Sequence, residues 1–270
     1  MLISDPHQFA FIHVPKTGGS SIRRANAAYD SYAGAFADVH EHPVPGRIDL
    51  GHLPLGLLRE HFPVEYEKLH RYFTLAIVRD PYSRFPSGLR QRLHWYRDPG
   101  LPPPSEMTPA QVLREAYAAI ELIQKQTDRL PPEIIHLAPQ APYVSEGGRL
   151  AVSALLPAEA IDAAVPDLLR EHLGLETTIA RANHSRRYAH RSLAGLARAA
   201  GWLAGRGVPG VISRRALSLT RRFQVAGNPL ADVVLAQPDI RAFIETHYAA
   251  DFELYEEARQ RWLPGGQRQG

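Results

Sequence analysis

An apolar run, Phe9-Ala10-Phe11-Ile12, leads directly into His13-Val14-Pro15-Lys16-Thr17-Gly18-Gly19-Ser20-Ser21. No other stretch of the chain restricts the fold so much. A strand must end there in a glycine loop, and a helix must follow through Ile22-Arg23-Arg24-Ala25-Asn26. Backbone N–H groups of such a loop and of a helix start converge on anionic oxygens, and a lysine adds a full positive charge. Lys16 is one of three lysines, with Lys68 and Lys125, in a chain carrying 31 Lys plus Arg. It precedes Gly18 and Gly19, whereas the usual nucleotide-hydrolysing loop places its lysine after the glycines. The loop therefore reads as phosphate-binding, but not in the ATPase pattern.

A second apolar run, Phe73-Thr74-Leu75-Ala76-Ile77-Val78, is long enough for a buried strand. It runs into Arg79-Asp80-Pro81-Tyr82-Ser83-Arg84-Phe85-Pro86-Ser87. Pro81 ends the strand, and Ser83 is expected to cap the next helix, which puts Pro86 in its first turn. Arg79 and Ser87 would then meet around one anion. Two anion cradles at strand ends imply a ligand with two separated anionic groups.

These two stretches resemble the 5′-phosphosulfate loop and the 3′-phosphate motif of sulfotransferases that use 3′-phosphoadenosine 5′-phosphosulfate (PAPS). The form His-Val-Pro-Lys-Thr-Gly-Gly with Arg-Asp-Pro-x-x-Arg is most similar to the carbohydrate branch that contains the heparan sulfate 2-O-sulfotransferases. Gly51-His52, His136-x-x-Pro139-Gln140 and Tyr248-x-x-Asp251-Phe252-x-Leu254-Tyr255 echo it in the same order. The resemblance implies a P-loop-like three-layer sandwich with a central, mainly parallel sheet flanked by helices. It implies that Pro15, Lys16, Thr17, Gly18, Gly19, Ser20 and Ser21 hold the 5′ end of PAPS. Arg79 and Ser87 would hold its 3′-phosphate, with the bisphosphate PAP as product and no metal required. Lys16 would neutralise charge on the leaving oxygen. An attacking hydroxyl needs a base, and the Gly-His element that carries it in related enzymes falls on His52. Its neighbour Gly51 is expected to let the acceptor approach. His136, Gln140 and Tyr143 are expected to line the acceptor groove, and His13 to shape the cradle.

With 270 residues, 44% hydrophobic and 22% charged, the chain fits one domain over 1–270 with a sizeable core. There is no cysteine, so disulfides and thiolate chemistry are excluded. No run approaches the roughly 20 apolar residues of a membrane span, and none suits a signal peptide, which makes a cytoplasmic location the expectation. His40-Glu41-His42 lacks a zinc-ligand spacing. Residues 30–50 read as a long loop, with a short strand over Ile48 to His52. Thr108-Pro109-Ala110-Gln111 opens a helix with a capping box. Ala151 to Leu156 suggests another strand, and Ala158 to Leu173 a helix that Pro166 kinks or breaks.

From Thr177 to Ala231 there is no acidic residue, but there are Arg181, Arg186, Arg187, Arg191, Arg198, Arg206, Arg214, Arg215, Arg221 and Arg222. This basic segment, read as helical over about 177–231, has three open readings. It binds the nucleotide and an acidic acceptor such as an anionic glycan, it makes a peripheral membrane contact that brings the protein to a lipid-linked acceptor such as a glycolipid, or it is a solvated lid. Nucleic acid is not an expected partner, because no stacking platform or DNA-binding motif accompanies the arginines. For the whole chain, the alternatives to sulfuryl transfer are a Mg²⁺-dependent P-loop kinase, with Asp80 as the metal ligand, and a non-catalytic anion or glycan-binding module.

Overall fold

The computed structural model describes residues 1–43, 46–125, 131–179, 186–188, 224–226 and 228–263. Its centre is a four-stranded sheet made of β1 (Leu2–Ser4), β2 (Phe9–Ile12), β5 (Phe73–Val78) and β8 (Ala154–Pro157), in the order β1-β2-β5-β8. β2, β5 and β8 are parallel, and β1 adds antiparallel to the edge. The expected mainly parallel sheet between helices is therefore present. The third parallel strand begins at Ala154 rather than Ala151 and ends on Pro157; a short helix, α6 (Ala141–Val144), and the hairpin of β6 (Ser145–Glu146) with β7 (Arg149–Leu150) precede it.

The sheet separates two cores because successive side chains of a strand point to opposite faces. Ala10, Ile12, Ala76, Val78 and Leu155 join one core, with Leu55 and Leu58 from α2 (Leu55–His61), Leu69 from α3 (Pro63–Arg71) and Ala258 from the C-terminal helix. Phe9, Phe11, Leu75, Ile77 and Leu156 join the other. Ile22 of α1 (Gly19–Ala25) and Val165 and Leu169 of α7 (Ile161–Leu173) cover that face. α7 runs unbroken through Pro166, preceded by a 3₁₀ turn over Ala158–Ala160.

A third, all-helical core packs α4 (Pro81–Tyr96), α5 (Pro109–Lys125), α8 (Pro229–Leu235) and α9 (Pro238–His247) around Phe85, Leu89, Ala116, Val234 and Ile244. The last helix, α10 (Ala249–Trp262), follows it. The capping box at α5 forms as expected: the Thr108 N–H donates to Gln111 Oε1 at 2.9 Å, and the Gln111 N–H to Thr108 Oγ1 at 3.3 Å.

Two local expectations change. Residues 30–50 are not all loop: β3 (Val39–His42) and β4 (Gly46–Asp49) pair antiparallel, and His52 ends a 3₁₀ turn, Leu50–His52. Helix α4 is capped by Asp80, not Ser83. The Asp80 carboxylate accepts from the N–H groups of Tyr82 and Ser83, so the helix starts at Pro81 and Pro86 lies in its second turn. Proline at the first position costs no hydrogen bond; Pro86 removes the donor that would have met the Tyr82 carbonyl.

Most of the basic segment lies outside the described residues. Within it, β9 (Arg186–Tyr188) pairs antiparallel with β10 (Gln224–Ala226), and its last residues open α8.

Candidate active site

β2 and β5 are adjacent and parallel, with Ile12 opposite Ala76, so the two motif loops leave the sheet side by side. In the first loop the Thr17 hydroxyl donates to the Val14 carbonyl at 3.0 Å, and Ser21 Oγ donates to the Gly18 carbonyl at 2.8 Å. Thr17 is fully buried, so its side chain closes the loop from inside. Lys16 holds a left-handed φ of 65°, which a non-glycine residue adopts only when its surroundings enforce it. A Cβ on Gly19 would stand 2.3 Å from Cδ2 of His13, so only glycine lets α1 begin against that ring.

Lys16 is half-buried, and its Nζ donates to Oε1 of Gln91 on α4 at 3.1 Å. Burial, with the charges of Arg90 and Arg79 added, pushes its pKa down to about 8. No carboxylate pairs with it among the described residues. Arg79 brings the second motif to the first: its Nη1 donates to the Lys16 carbonyl at 3.4 Å. Cations drawn together in a partly dry place, against the opposition of desolvation, are an arrangement suited to an anion. Ser87 is half-buried on α4, one turn before Gln91. Ser20 is exposed and lines a separate cleft of about 670 Å³ together with Arg23 and Arg24 of α1. Pro15 is buried beneath the loop.

Next to the cation cluster stands a row of three histidines. The His13 and His52 rings lie 4.3 Å apart between centroids, and the His52 and His136 rings 5.3 Å apart. Nδ1 of His52 lies 2.9 Å from the carbonyl oxygen of His13. A carbonyl can only accept, so this nitrogen carries the proton and Nε2 keeps its lone pair. Burial is the main cause that pushes the His52 pKa down to about 3; the His13 carbonyl opposes it, and Arg23 and Lys16 add to it. His136 falls to about 3 for the same leading reason, with His52 and Lys16 contributing. Asp49, buried beside them, accepts from the Gly51 N–H at 2.9 Å, and burial raises its pKa.

Gly51 does not open a path for an acceptor. The space where its Cβ would sit is taken by the Ala37 carbonyl oxygen at 2.9 Å. Gly88 of α4 has the more direct role. A Cβ there would meet the His136 carbonyl oxygen at 2.4 Å, so glycine lets the 3₁₀ turn Ile135–Leu137 press against α4 and carry His136 to His52.

The remaining motif residues form the frame. Gln140 is fully buried, and its amide bridges the backbone of Arg79: Oε1 accepts from the Arg79 N–H and Nε2 donates to the Arg79 carbonyl, both at 2.9 Å. Its own N–H donates to Asp251 at 2.8 Å. Asp251 is fully buried, also accepts from the Ala141 N–H, and faces Arg84 Nη2 at 3.5 Å. Arg84 donates to the Ala138 carbonyl at 2.7 Å and lies over the Tyr248 ring, whose hydroxyl donates to the Leu137 carbonyl at 2.6 Å. Tyr143 is fully buried, and its hydroxyl has no hydrogen-bond partner among the described residues. Gln140 and Tyr143 thus lie inside the frame, while His136 lies at the site itself. The sequence reading did not single out Gln91 and Asp49. Gln91 carried a faint signal, four residues beyond Ser87 on one helix face; Asp49 carried none.

Comparison with known proteins bears on the same residues. Residues 1–141 match the sulfotransferase family. Over 95 residues the chain is 30% identical to carbohydrate sulfotransferase 10 of Xenopus laevis, a stretch that makes up 34% of this chain. That stretch spans 25% of the relative's length. No solved structure matches.

Proposed function

Because this chain belongs to the sulfotransferase family, we propose that it moves the sulfuryl group of PAPS to a hydroxyl of a carbohydrate or glycosylated acceptor. One observation carries the reading. A single loop sets both halves of an in-line displacement: the His13 carbonyl holds the tautomer of His52, and three residues later Lys16 projects its ammonium. A base for the attacking hydroxyl and a cation for the leaving oxygen are thereby referred to one piece of backbone.

The residues divide the work. His52 accepts the acceptor's proton at Nε2, and the imidazolium so formed keeps its Nδ1–H on the His13 carbonyl. In the free protein, burial and nearby positive charge hold His52 neutral. A bound anion beside Lys16 offsets part of that charge and makes proton transfer to His52 easier. Lys16 exchanges Gln91 for a donor oxygen, while Arg79 and Ser87 receive the second anionic group. Gln140 and Asp251 position Arg79 through its backbone. PAPS supplies the activated sulfuryl group, and the assigned residues require no metal for its transfer.

The kinase alternative is less well supported, because both carboxylate oxygens of Asp80, its expected Mg²⁺ ligand, already accept hydrogen bonds as the cap of α4. Calorimetric titration with PAP, ATP and ADP, with and without Mg²⁺, tests the donor. Tight PAP binding that ignores Mg²⁺ and is lost in Arg79→Ala is expected. Equal binding of ATP, or dependence on Mg²⁺, would refute the assignment. An anionic glycan among the acceptors and membrane contact by the basic segment remain parts of the proposal. No helix among the described residues is long and apolar enough to cross a membrane.

A further inference from the structure

Asp49, His52 and His136 each offer a ligand atom, and these atoms lie within 4.8 Å of one another. They come from three places in the fold: the end of β4, the turn that follows it, and the turn pressed against α4 at Gly88. Two of them are held from behind. The Gly51 N–H fixes one oxygen of Asp49, leaving the other free of that bond. The His13 carbonyl holds Nδ1 of His52, which leaves Nε2 as a lone pair with a fixed direction. A backbone carbonyl behind an imidazole is the outer support that orients metal-binding histidines. The His136 ring is also under-used: its Nδ1 is buried with no hydrogen-bond partner among the described residues. Buried ring nitrogens normally have one, and an unmet one marks a place where something else can bind.

We propose that Asp49, His52 and His136 form a reversible site for one late divalent transition ion of the zinc type. One carboxylate oxygen and two imidazole nitrogens suit Zn²⁺, with a water in the fourth position. Zinc bonds of about 2.0–2.1 Å in a tetrahedron place ligand atoms about 3.3 Å apart, so small side-chain rotations complete the set. The positive charges of Lys16 and Arg23 nearby weaken the site, which makes it regulatory rather than structural. An anion bound at Lys16 offsets that repulsion, so PAP and Zn²⁺ bind with positive coupling, each strengthening the other. Zinc on Nε2 of His52 occupies the lone pair that the acceptor proton needs, and turnover stops. The ion site stands on geometry alone; its effect on turnover rests on the reading of His52 as the base.

The test titrates the intact, nucleotide-free protein with Zn²⁺ alone, against a chromophoric chelator, and then with Co²⁺ as a spectroscopic substitute. One equivalent is expected, together with the visible bands of tetrahedral Co²⁺. Affinity should fall at least tenfold in Asp49→Ala and in His136→Ala, and rise with PAP in the wild type. Absence of the Co²⁺ bands overturns the proposal in the wild type alone, even if the variants fail to fold. Binding unchanged by both substitutions also overturns it, since any of the chain's 13 histidines can scavenge metal elsewhere. Zn²⁺ that binds as described yet leaves turnover intact would uphold the site and refute His52 as the base.

Discussion

The imidazole of His52 and the carbonyl of His13, 39 residues apart in sequence, meet at 2.9 Å. That contact fixes which nitrogen of His52 is free, and it ties His52, the proposed base, to the loop that presents Lys16. His52→Ala should therefore lower kcat by about 10²- to 10⁴-fold, the usual worth of a positioned base. PAP affinity should stay within a factor of two or so. Single-turnover kinetics alongside calorimetry reads both, and unchanged kcat would dismiss His52 as the base.

Lys16 has an ordinary pKa of 10.5 when the chain is unfolded and about 8 when folded. Between these values the unfolded chain binds more protons, so stability rises with pH from about 8 to 10.5. Below pH 8 the buried ammonium is a cost, and Lys16→Met should raise the unfolding free energy at pH 7 by on the order of 1–3 kcal/mol while removing turnover. Chemical denaturation at pH 7 and pH 10 measures this, and the gain should shrink at the higher pH. In the free enzyme, kcat/KM should fall above about pH 8 as Lys16 loses its proton. With an anion bound beside it the limb moves to higher pH in kcat.

Gly88→Ala places a methyl 2.4 Å from the backbone oxygen of His136, which has no side chain to swing away. A loss of about 1–3 kcal/mol is expected, as for overpacking generally. Activity should fall with it, because His136 is displaced from His52. Gly56→Ala in α2 is the control, since nothing lies within 4 Å of the new methyl. That change should be neutral or stabilise by up to about 1 kcal/mol. Thermal melts of the two variants side by side decide the matter.

Asp251 and Arg84 are both buried, at 0% and 1% exposure, so neither can turn to water if the other is removed. Asp251→Ala strands Arg84 together with the N–H groups of Gln140 and Ala141. A cost of about 3–5 kcal/mol is expected, as for breaking buried pairs. Asp251→Asn keeps an acceptor oxygen and should cost less. Urea midpoints measure both, and equal midpoints for the two variants would contradict the role of Asp251 as acceptor.

Much of the architecture was legible because it is written locally. Strands β2 and β5 are unbroken apolar runs, and each is followed by a motif whose residues lie within ten positions of one another. The α5 capping box needs only Thr108 and Gln111. Other features left no local trace. β1 has three residues, too few for a period to show, and the hairpin β3–β4 hides in a stretch rich in glycine, proline and histidine. The start of α4 was misplaced by three residues, because Asp80 and Ser83 are both good caps and only the folded backbone shows which carboxylate or hydroxyl reaches the free N–H groups.

The sequence by itself determined the glycine loop that follows β2, its lysine, the motif that begins at Arg79 and the parallel sheet that joins them. Each depends on neighbours along the chain, where backbone geometry acts directly. Only the tertiary structure decided that Gln140, Asp251 and Tyr248 build the frame, and that Gln91 partners Lys16. It also decided that Asp49 and His136 stand beside His52. Those meetings bring together residues tens of positions apart, and packing sets them: whether α4 carries a glycine where a turn must press, and whether a buried polar group finds its partner.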